Sequence, residues 1–520
     1  MKPNLFNSIK LMKPKKNVFD LTHDVKLSCD MGNLVPIMTL EAVPGDKFNL
    51  SAEALVRFAP MTAPVMHRMD VSMHYFFVPN RILWPNWEKF ITDANSGIVA
   101  PYIGIGGSFG GVDYASYRRF MDYMGVPPIP TTGTATQLSA LPFAAYQCIY
   151  NEYYRDQNLI APIDYKLTDG ENFNSIDDAD RLLSMRKRAW EHDYFTASLP
   201  FAQKGSAVDI PLGSISTPYT KIQGRNTAGV TGAVQSTGGG SPTYDIDDLP
   251  APLAGDGLWV PSQQADVEPT TINDLRRAFR LQEWLEKNAR GGTRYVESIL
   301  THFGVKSSDA RLQRPEYITG TKTPVVVSEV LNTTGSFEAG DPSSPTSNPQ
   351  GTMAGHGISV TSGKGGSYYC EEHGYIIGIM SVMPKTAYQQ GIPRTFLKLD
   401  TLDYFWPTFA NIGEQEVQNQ ELYAYTGTGT NTFGYVPRYS EYKYMPSRVA
   451  GEFRTTLDYW HLGRIFNTQP SLNQTFVECA PANTKRIFAV TDENTDSLYC
   501  HVLNKVKAIR PMPKYGTPMI

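Results

Sequence analysis

The sequence predicts a mainly β protein: an antiparallel sandwich or barrel interrupted by long loops and a few helices. Three observations carry this. Short runs rich in β-branched and aromatic residues recur along all 520 residues, as strands do. They do not alternate regularly with helical segments, which argues against a parallel βα sheet. Glycine and proline, 43 and 37 residues, punctuate the runs without reaching the share that marks low-complexity chains. With 41% hydrophobic residues, a chain this long can bury a large core. Disordered and fibrous classes are excluded.

Taken in order, Val71–Val78 is an aromatic strand stopped by Pro79. Pro85–Ile91 opens on a proline suited to a first helical turn. Ser116–Met124, closed by Gly125, and Leu138–Tyr154 read as helices. Gly213–Gly257 has nine Gly and ten Ser/Thr and reads as a loop. Thr271 is placed to N-cap a helix with Asp274 at its third position, a near miss of the capping box. Apolar residues follow at helical spacing until Gly291-Gly292, and Thr293–Phe303 is a second helical stretch. Pro324–Leu331 is a β-branched strand, Gly335–Gly366 a second glycine-rich loop, and Tyr375–Met383 a nearly continuous apolar strand. Arg486–Thr491 and Leu498–Val506 flank a polar turn and read as a hairpin. Long loops inside a compact domain are usually functional or disordered, and a flexible linker is the alternative.

Tyr375–Met383 is the best apolar stretch and is far shorter than the ~20 residues of a spanning helix. No membrane insertion is expected. The lysine-rich N-terminus lacks an apolar signal core, which points to a cytosolic site of synthesis. The five cysteines, Cys29, Cys148, Cys370, Cys479 and Cys500, show no CxxC spacing and are expected as free buried thiols. A Cys479–Cys500 disulfide is the alternative.

Signatures of chemistry are weak. Gly104–Gly111 fails the dinucleotide pattern at Phe109. His67 and His74 lack a third ligand. Asp492, Asn494 and Asp496 begin a calcium loop that breaks at Ser497 and Leu503. Glu371-Glu372 and the pair Asp400 and Asp403 have the residue types of acid–base pairs, but nothing places them about a substrate. No catalytic residue, metal or cofactor is expected.

Charge is more informative. Net charge is −4, unevenly spread. The first 19 residues carry Lys2, Lys10, Lys13, Lys15 and Lys16 without an acid. Residues 497–520 carry Lys505, Lys507, Arg510 and Lys514, also without one. The body between is left at −13. Acid-free basic ends on an acidic body suit a partner that is a polyanion. These nine residues are the expected nucleic-acid contacts, with Tyr499 and Tyr515 near enough to stack on bases. The expected organisation is a basic arm over residues 1–19, a domain over 20–496, and a basic segment over 497–520.

Four strings then identify a family. Phe19-Asp-Leu-Thr-His-Asp-Val-Lys-Leu-Ser28, Phe77-Val-Pro-Asn-Arg-Ile-Leu-Trp84, Asp193-Tyr-Phe-Thr-Ala-Ser-Leu-Pro-Phe-Ala-Gln203 and Asp400-Thr-Leu-Asp-Tyr-Phe-Trp-Pro407 resemble the major capsid protein of the Microviridae, small single-stranded DNA bacteriophages, in the gokushovirus branch. The resemblance spans nearly the whole chain. It implies an eight-stranded antiparallel jelly roll with long loop and helical insertions, in a T=1 icosahedral shell of sixty copies. The partners it implies are the chain itself, with pentamer intermediates, a circular single-stranded DNA genome, a small basic DNA-binding protein and a host surface receptor. It also implies a threefold protrusion. The candidate is Gly213–Gly257, with Val230, Val234 and Tyr244 meeting at the axis; Gly335–Gly366 is the competitor. The other class that fits the strands is a cytosolic jelly-roll carbohydrate-binding or carbohydrate-active protein, which leaves the basic ends unexplained.

Overall fold

The computed structural model describes residues 15–93, 96–105, 114–127, 136–173, 175–205, 313–331, 353–363 and 365–515 apart from 426, 428 and 493, with short strands between 223 and 259, the helix at 272–290, Thr301 and Thr333. The chain divides into two compact units: Met1–Ala202 with Gly304–Ile520, and Gln203–Phe303.

The first unit is mainly β, and its sheets are antiparallel. The strands of its two large sheets are β1 (Asn17–Asp20), β2 (His23–Cys29), β3 (Val35–Ala42), β4 (Lys47–Phe58), β5 (Met69–Pro79), β6 (Glu316–Pro324), β7 (Val326–Leu331), β8 (Met353–Ser362), β9 (Gly366–Tyr369), β10 (Gly374–Pro384) and β11 (Leu498–Arg510). The larger sheet has the order β1-β11-β4-β8-β7. In it β2 also pairs with β11, and β9 also pairs with β4. The smaller sheet has the order β6-β5-β10-β3.

The two sheets face each other across one apolar core. Phe48, Leu50, Val56 and Phe58 of β4 join Leu498, Val502 and Val506 of β11, and meet Val71, Met73 and Phe77 of β5 with Ile376, Met380 and Val382 of β10. The far side of the smaller sheet is covered as well. Phe76, Val78, Ile377 and Ile379 pack there in one cluster with Trp87 of α1 (Trp87–Thr92), Phe120 of α2 (Tyr114–Tyr123), Phe143 and Tyr146 of α3 (Leu141–Ile149), and Leu182 of α4 (Ile176–Leu183). Strands covered on both faces need apolar residues throughout. That is why Tyr375–Met383 reads as a continuous apolar run.

The expected strands at 71–78 and 375–383 are β5 and β10, and Val326–Leu331 is β7. The helix expected at 116–124 is α2; the one expected at 138–154 begins later, as α3, because Thr136–Ser139 is a strand paired with Tyr102–Ile105, and it ends in a wide turn at Tyr150–Tyr154. Ser175 caps α4, its Oγ accepting from the Asp178 amide at 3.2 Å.

Three expectations change. The hairpin does not form: Lys485–Ile487 is a short 3-10 turn. Lys485 is buried, pairs with Asp30 at 3.1 Å and donates to the Asp492 and Thr495 carbonyls. That cross-link satisfies carbonyls a strand would have used, and β11 pairs with β4 and β2 instead. Residues 498–510 are therefore a central strand and not a tail. The glycine-rich stretch 335–366 holds β8 in its second part. A Cβ on Gly355 would lie 2.3 Å from the Ala63 carbonyl oxygen, and one on Gly357 would lie 2.7 Å from Met61 Cε. These glycines serve close packing, not a turn. The cysteines are as expected: all five are free and buried. Cys500 lies beside Cys29, with sulfurs 3.9 Å apart, and not beside Cys479.

The second unit carries α5 (Ile272–Arg290), which begins directly after the expected Thr271 cap. Within 213–257, Gln223–Arg225 pairs with Thr231–Ala233 and Gly257–Trp259, and Gln235–Ser236 pairs with Tyr244–Asp245. Tyr244 is in one of these short strands. Val230 and Val234, and nearly all of the expected helix at 293–303, lie outside the described residues.

Candidate nucleic-acid interface

β11 alternates. Cys500, Val502, Asn504, Val506 and Ala508 are buried, while Tyr499, His501, Lys505 and Lys507 are exposed. The period of two follows from strand geometry: with one face in the core, the other must be polar. β4 does the same, burying Phe48, Leu50, Ala52, Ala54 and Val56 and exposing Lys47, Asn49 and Arg57.

Register assembles these residues into one surface. Lys507 stands opposite Asn49, Lys505 opposite Ser51, and Tyr499 opposite Arg57. On the other side of β11, Lys26 stands opposite His501 and Asp20 opposite Lys507. The solvent face of the larger sheet thus presents Lys26, Lys47, Arg57, Lys505 and Lys507. The acids among them are Asp20, Asp24 and Glu53. Lys505 forms an ion pair with Glu53, and His501 Nε2 lies 3.0 Å from Asp24. The Asp20 carboxyl is held below its ordinary range, first by hydrogen bonds from Thr22 and in smaller part by Lys507. Lys505 and Lys507 also border a depression lined by Thr22, Asn49, Ser51 and Ser367, without a carboxylate.

The nine sequence-predicted cations therefore fall into three groups. Lys2, Lys10 and Lys13 lie outside the described residues. Lys505 and Lys507 sit on the sheet face, and Lys15 is exposed just before β1. The remaining three are turned to backbone carbonyls, aromatic rings or a buried carboxylate. Lys16 donates to the Gly45 carbonyl at 2.8 Å and lies over Tyr369. Lys514 lies over Tyr515. Arg510 donates to the Glu41 carbonyl at 2.6 Å, sits 3.4 Å from Asp46 and covers Phe48. Asp46 is fully buried, and burial pushes its carboxyl up against the pull of Arg510. Arg510 is thus a structural counter-ion.

Lys26, Lys47 and Arg57 were missed by the sequence reading. They lie in the acidic body, and only the register brings them beside Lys505 and Lys507. Their signal was alternation within β4, read together with its pairing partner.

The residues with the chemistry of acids and bases have structural roles. Asp403 accepts from the Leu399 and Asp400 amides at 3.0 and 2.9 Å. Glu372 holds Arg81. Asp496 accepts from Ser28 at 2.5 Å and pairs with Arg119. His67 bonds the Lys385 carbonyl oxygen at 2.7 Å, and His74 bonds the Tyr154 hydroxyl at 2.7 Å. Among the described residues no group of three His, Cys, Asp or Glu side chains is disposed to hold a metal ion. Among them, too, no helix is long and apolar enough to cross a membrane.

Comparison with known proteins gives one answer. A family described as capsid protein (F protein) matches residues 8–520. Capsid protein VP1 of Bdellovibrio phage phiMH2K is 35% identical, covering 99% of this chain and 97% of its own. Capsid protein VP1 of Chlamydia phage 1 is 33% identical, with the same coverage. Capsid protein VP1 of Spiroplasma virus 4 is 30% identical over 96% of this chain.

Proposed function

The chain belongs to the capsid protein (F protein) family, and from that premise we propose that it builds a T=1 shell of sixty copies around single-stranded DNA, with the solvent face of its larger sheet turned toward the genome. One observation carries the reading: Lys26, Lys47, Arg57, Lys505 and Lys507 lie on one face of paired strands, where no apolar partner among the described residues covers them. A row of cations binds phosphates by releasing counterions and needs no base contacts. Tyr499 beside Arg57 offers a ring for stacking. The arm with Lys2, Lys10, Lys13, Lys15 and Lys16 extends the same positive surface.

On this reading β4, β5, β10 and β11 are central strands of an eight-stranded jelly roll, assembled through pentamers in the host cytoplasm. Nine terminal cations per copy, even sixty times over, fall well short of the phosphates in a genome of roughly a few thousand nucleotides. A small basic DNA-binding protein supplies the remainder. The segment Gly213–Gly257, with Val230, Val234 and Tyr244, is the protrusion that meets the host receptor. Its glycine-rich composition buries little apolar area and suits recognition better than shell closure.

The test is a Lys505→Glu, Lys507→Glu variant carried through infection. Shells should form with a lower ratio of 260 to 280 nm absorbance than wild type. Particles of unchanged nucleic-acid content would refute the assignment of this face.

A further inference from the structure

The string Asp400–Pro407 has no part in the interface above, yet it lies in a segment rich in exposed large apolar side chains. Phe396, Leu399, Leu402, Phe405, Trp406 and Met445 are 73, 93, 54, 49, 46 and 87% exposed. Residues of ~200 Å² at an average exposure near two thirds present roughly 800 Å², one partner's share of a standard interface. A monomer's largest apolar patch is commonly ~300–600 Å².

The surface is rigidly built. Asp400 accepts from the Thr401 amide at 2.6 Å, while Asp403 closes the same turn from its other end. Trp406 Nε1 donates to the Thr401 carbonyl at 3.0 Å, and Arg438 donates to the Leu402 carbonyl at 3.0 Å. Phe405 meets Tyr439 edge to face at 4.9 Å. Beneath lies a buried ion pair, Lys398 with Glu441 at 2.9 Å, and Lys398 Nζ sits 3.8 Å from the centre of the Tyr442 ring. A second pair, half-buried Arg394 with buried Glu421 at 2.9 Å, is tied by Tyr194 to the family string Asp193–Gln203. Holding aromatic side chains in fixed positions removes much of the entropy cost of binding.

We propose that this aromatic face is a contact surface for a second copy of this chain. The proposal rests on the capsid reading, which requires subunits to meet. The area matches what such a contact needs, and charge selects between partners. Residues 394–445 carry four cations and six acids. Arg394 and Lys398 are held by carboxylates, and Arg438 and Lys443 are turned to backbone carbonyls. Bases could stack on these rings, but their phosphates would meet net negative charge. A protein surface suits it better.

The experiment is Leu399→Asp with Met445→Asp in the full chain. Both side chains protrude almost completely, so the thermal midpoint of the isolated subunit should not move. The concentration needed for shell assembly should rise about a hundredfold, since two carboxylates would be buried unpaired. Assembly at the wild-type concentration would overturn the proposal. So would normal shells with reduced DNA, which would make the face a nucleic-acid platform. A second measurement does not depend on assembly of a variant with altered charge. The five native cysteines are buried, so Leu399→Cys gives one reactive thiol. Maleimide should label it at least about tenfold more slowly in shells than in free subunits, and equal rates would overturn the proposal. If the unmodified chain forms no shells at all, the capsid reading itself fails and the surface falls with it.

Discussion

Strands β10 and β11 are both long and both central in their sheets, yet they are built on opposite rules. β10 is buried at ten of its eleven positions. β11 is buried at every second position over most of its length. The difference lies in what covers each sheet. β10 has the sandwich core on one face and α2, α3 and α4 on the other, whereas β11 has a core on one face and solvent on the other. Only a strand of the second kind can display charge without cost to the fold. The cations of the proposed genome contact are therefore on β11 and β4, and nothing comparable is on β5 or β10.

The comparison is broken most directly by truncating β10 on each face. Ile376 points into the core between the sheets and Ile377 into the helical side, and both are fully buried. Ile376→Ala and Ile377→Ala should each cost about 2–5 kcal/mol in chemical denaturation. A silent Ile377→Ala would mean that the helices are not a second core. Gly378→Ala comes next. Its added Cβ would lie 2.7 Å from the Tyr75 ring, and overpacking of that kind costs about 1–3 kcal/mol. The same denaturation series checks it.

The double burial also sets a pH dependence. His67 and His74, flanking the start of β5 and within it, are each pushed down to about 4 by burial, with neighbouring cations adding to the effect. The unfolded chain takes up protons below about 6.5 that the folded chain refuses until about 4. Their contribution is thus fully present above 6.5 and is lost as pH falls toward 4. Denaturation midpoints should decline across that window, and His74→Gln should flatten the decline. A midpoint independent of pH from 7 to 4.5 would count against both burials.

The smallest stability effect belongs to β11. Lys505→Gln with Lys507→Gln should change stability by less than about 0.5 kcal/mol, as surface changes do. It should nevertheless lower the slope of log affinity for single-stranded DNA against log salt by about 1.4, two contacts at ~0.7 each. Filter binding across a salt series measures it. An unchanged slope would leave the sheet face without a phosphate.

The fold was legible where one segment carried its whole signal. The runs at 71–78 and 375–383, and the helices near 116 and 141, declare themselves by composition and periodicity. β8 did not, because Gly355 and Gly357 are selected by Ala63 and Met61, residues almost three hundred positions away. The interface was half legible. Lys505 and Lys507 stand out as cations in an acid-free end, but the same rule also chose Arg510, which neutralises buried Asp46. Lys26, Lys47 and Arg57 were hidden by acids close in sequence and remote in space.

The sequence by itself determined the class of fold and the family, because composition and short strings are local properties of a chain. Only the tertiary structure decided which cations share a surface, which of them are spent on buried carboxylates, and where the aromatic residues of 396–445 come to the outside. Those outcomes depend on strand register and on long-range ion pairs such as Arg510 with Asp46 and Lys485 with Asp30. Both join residues more than four hundred positions apart, a separation no local pattern encodes.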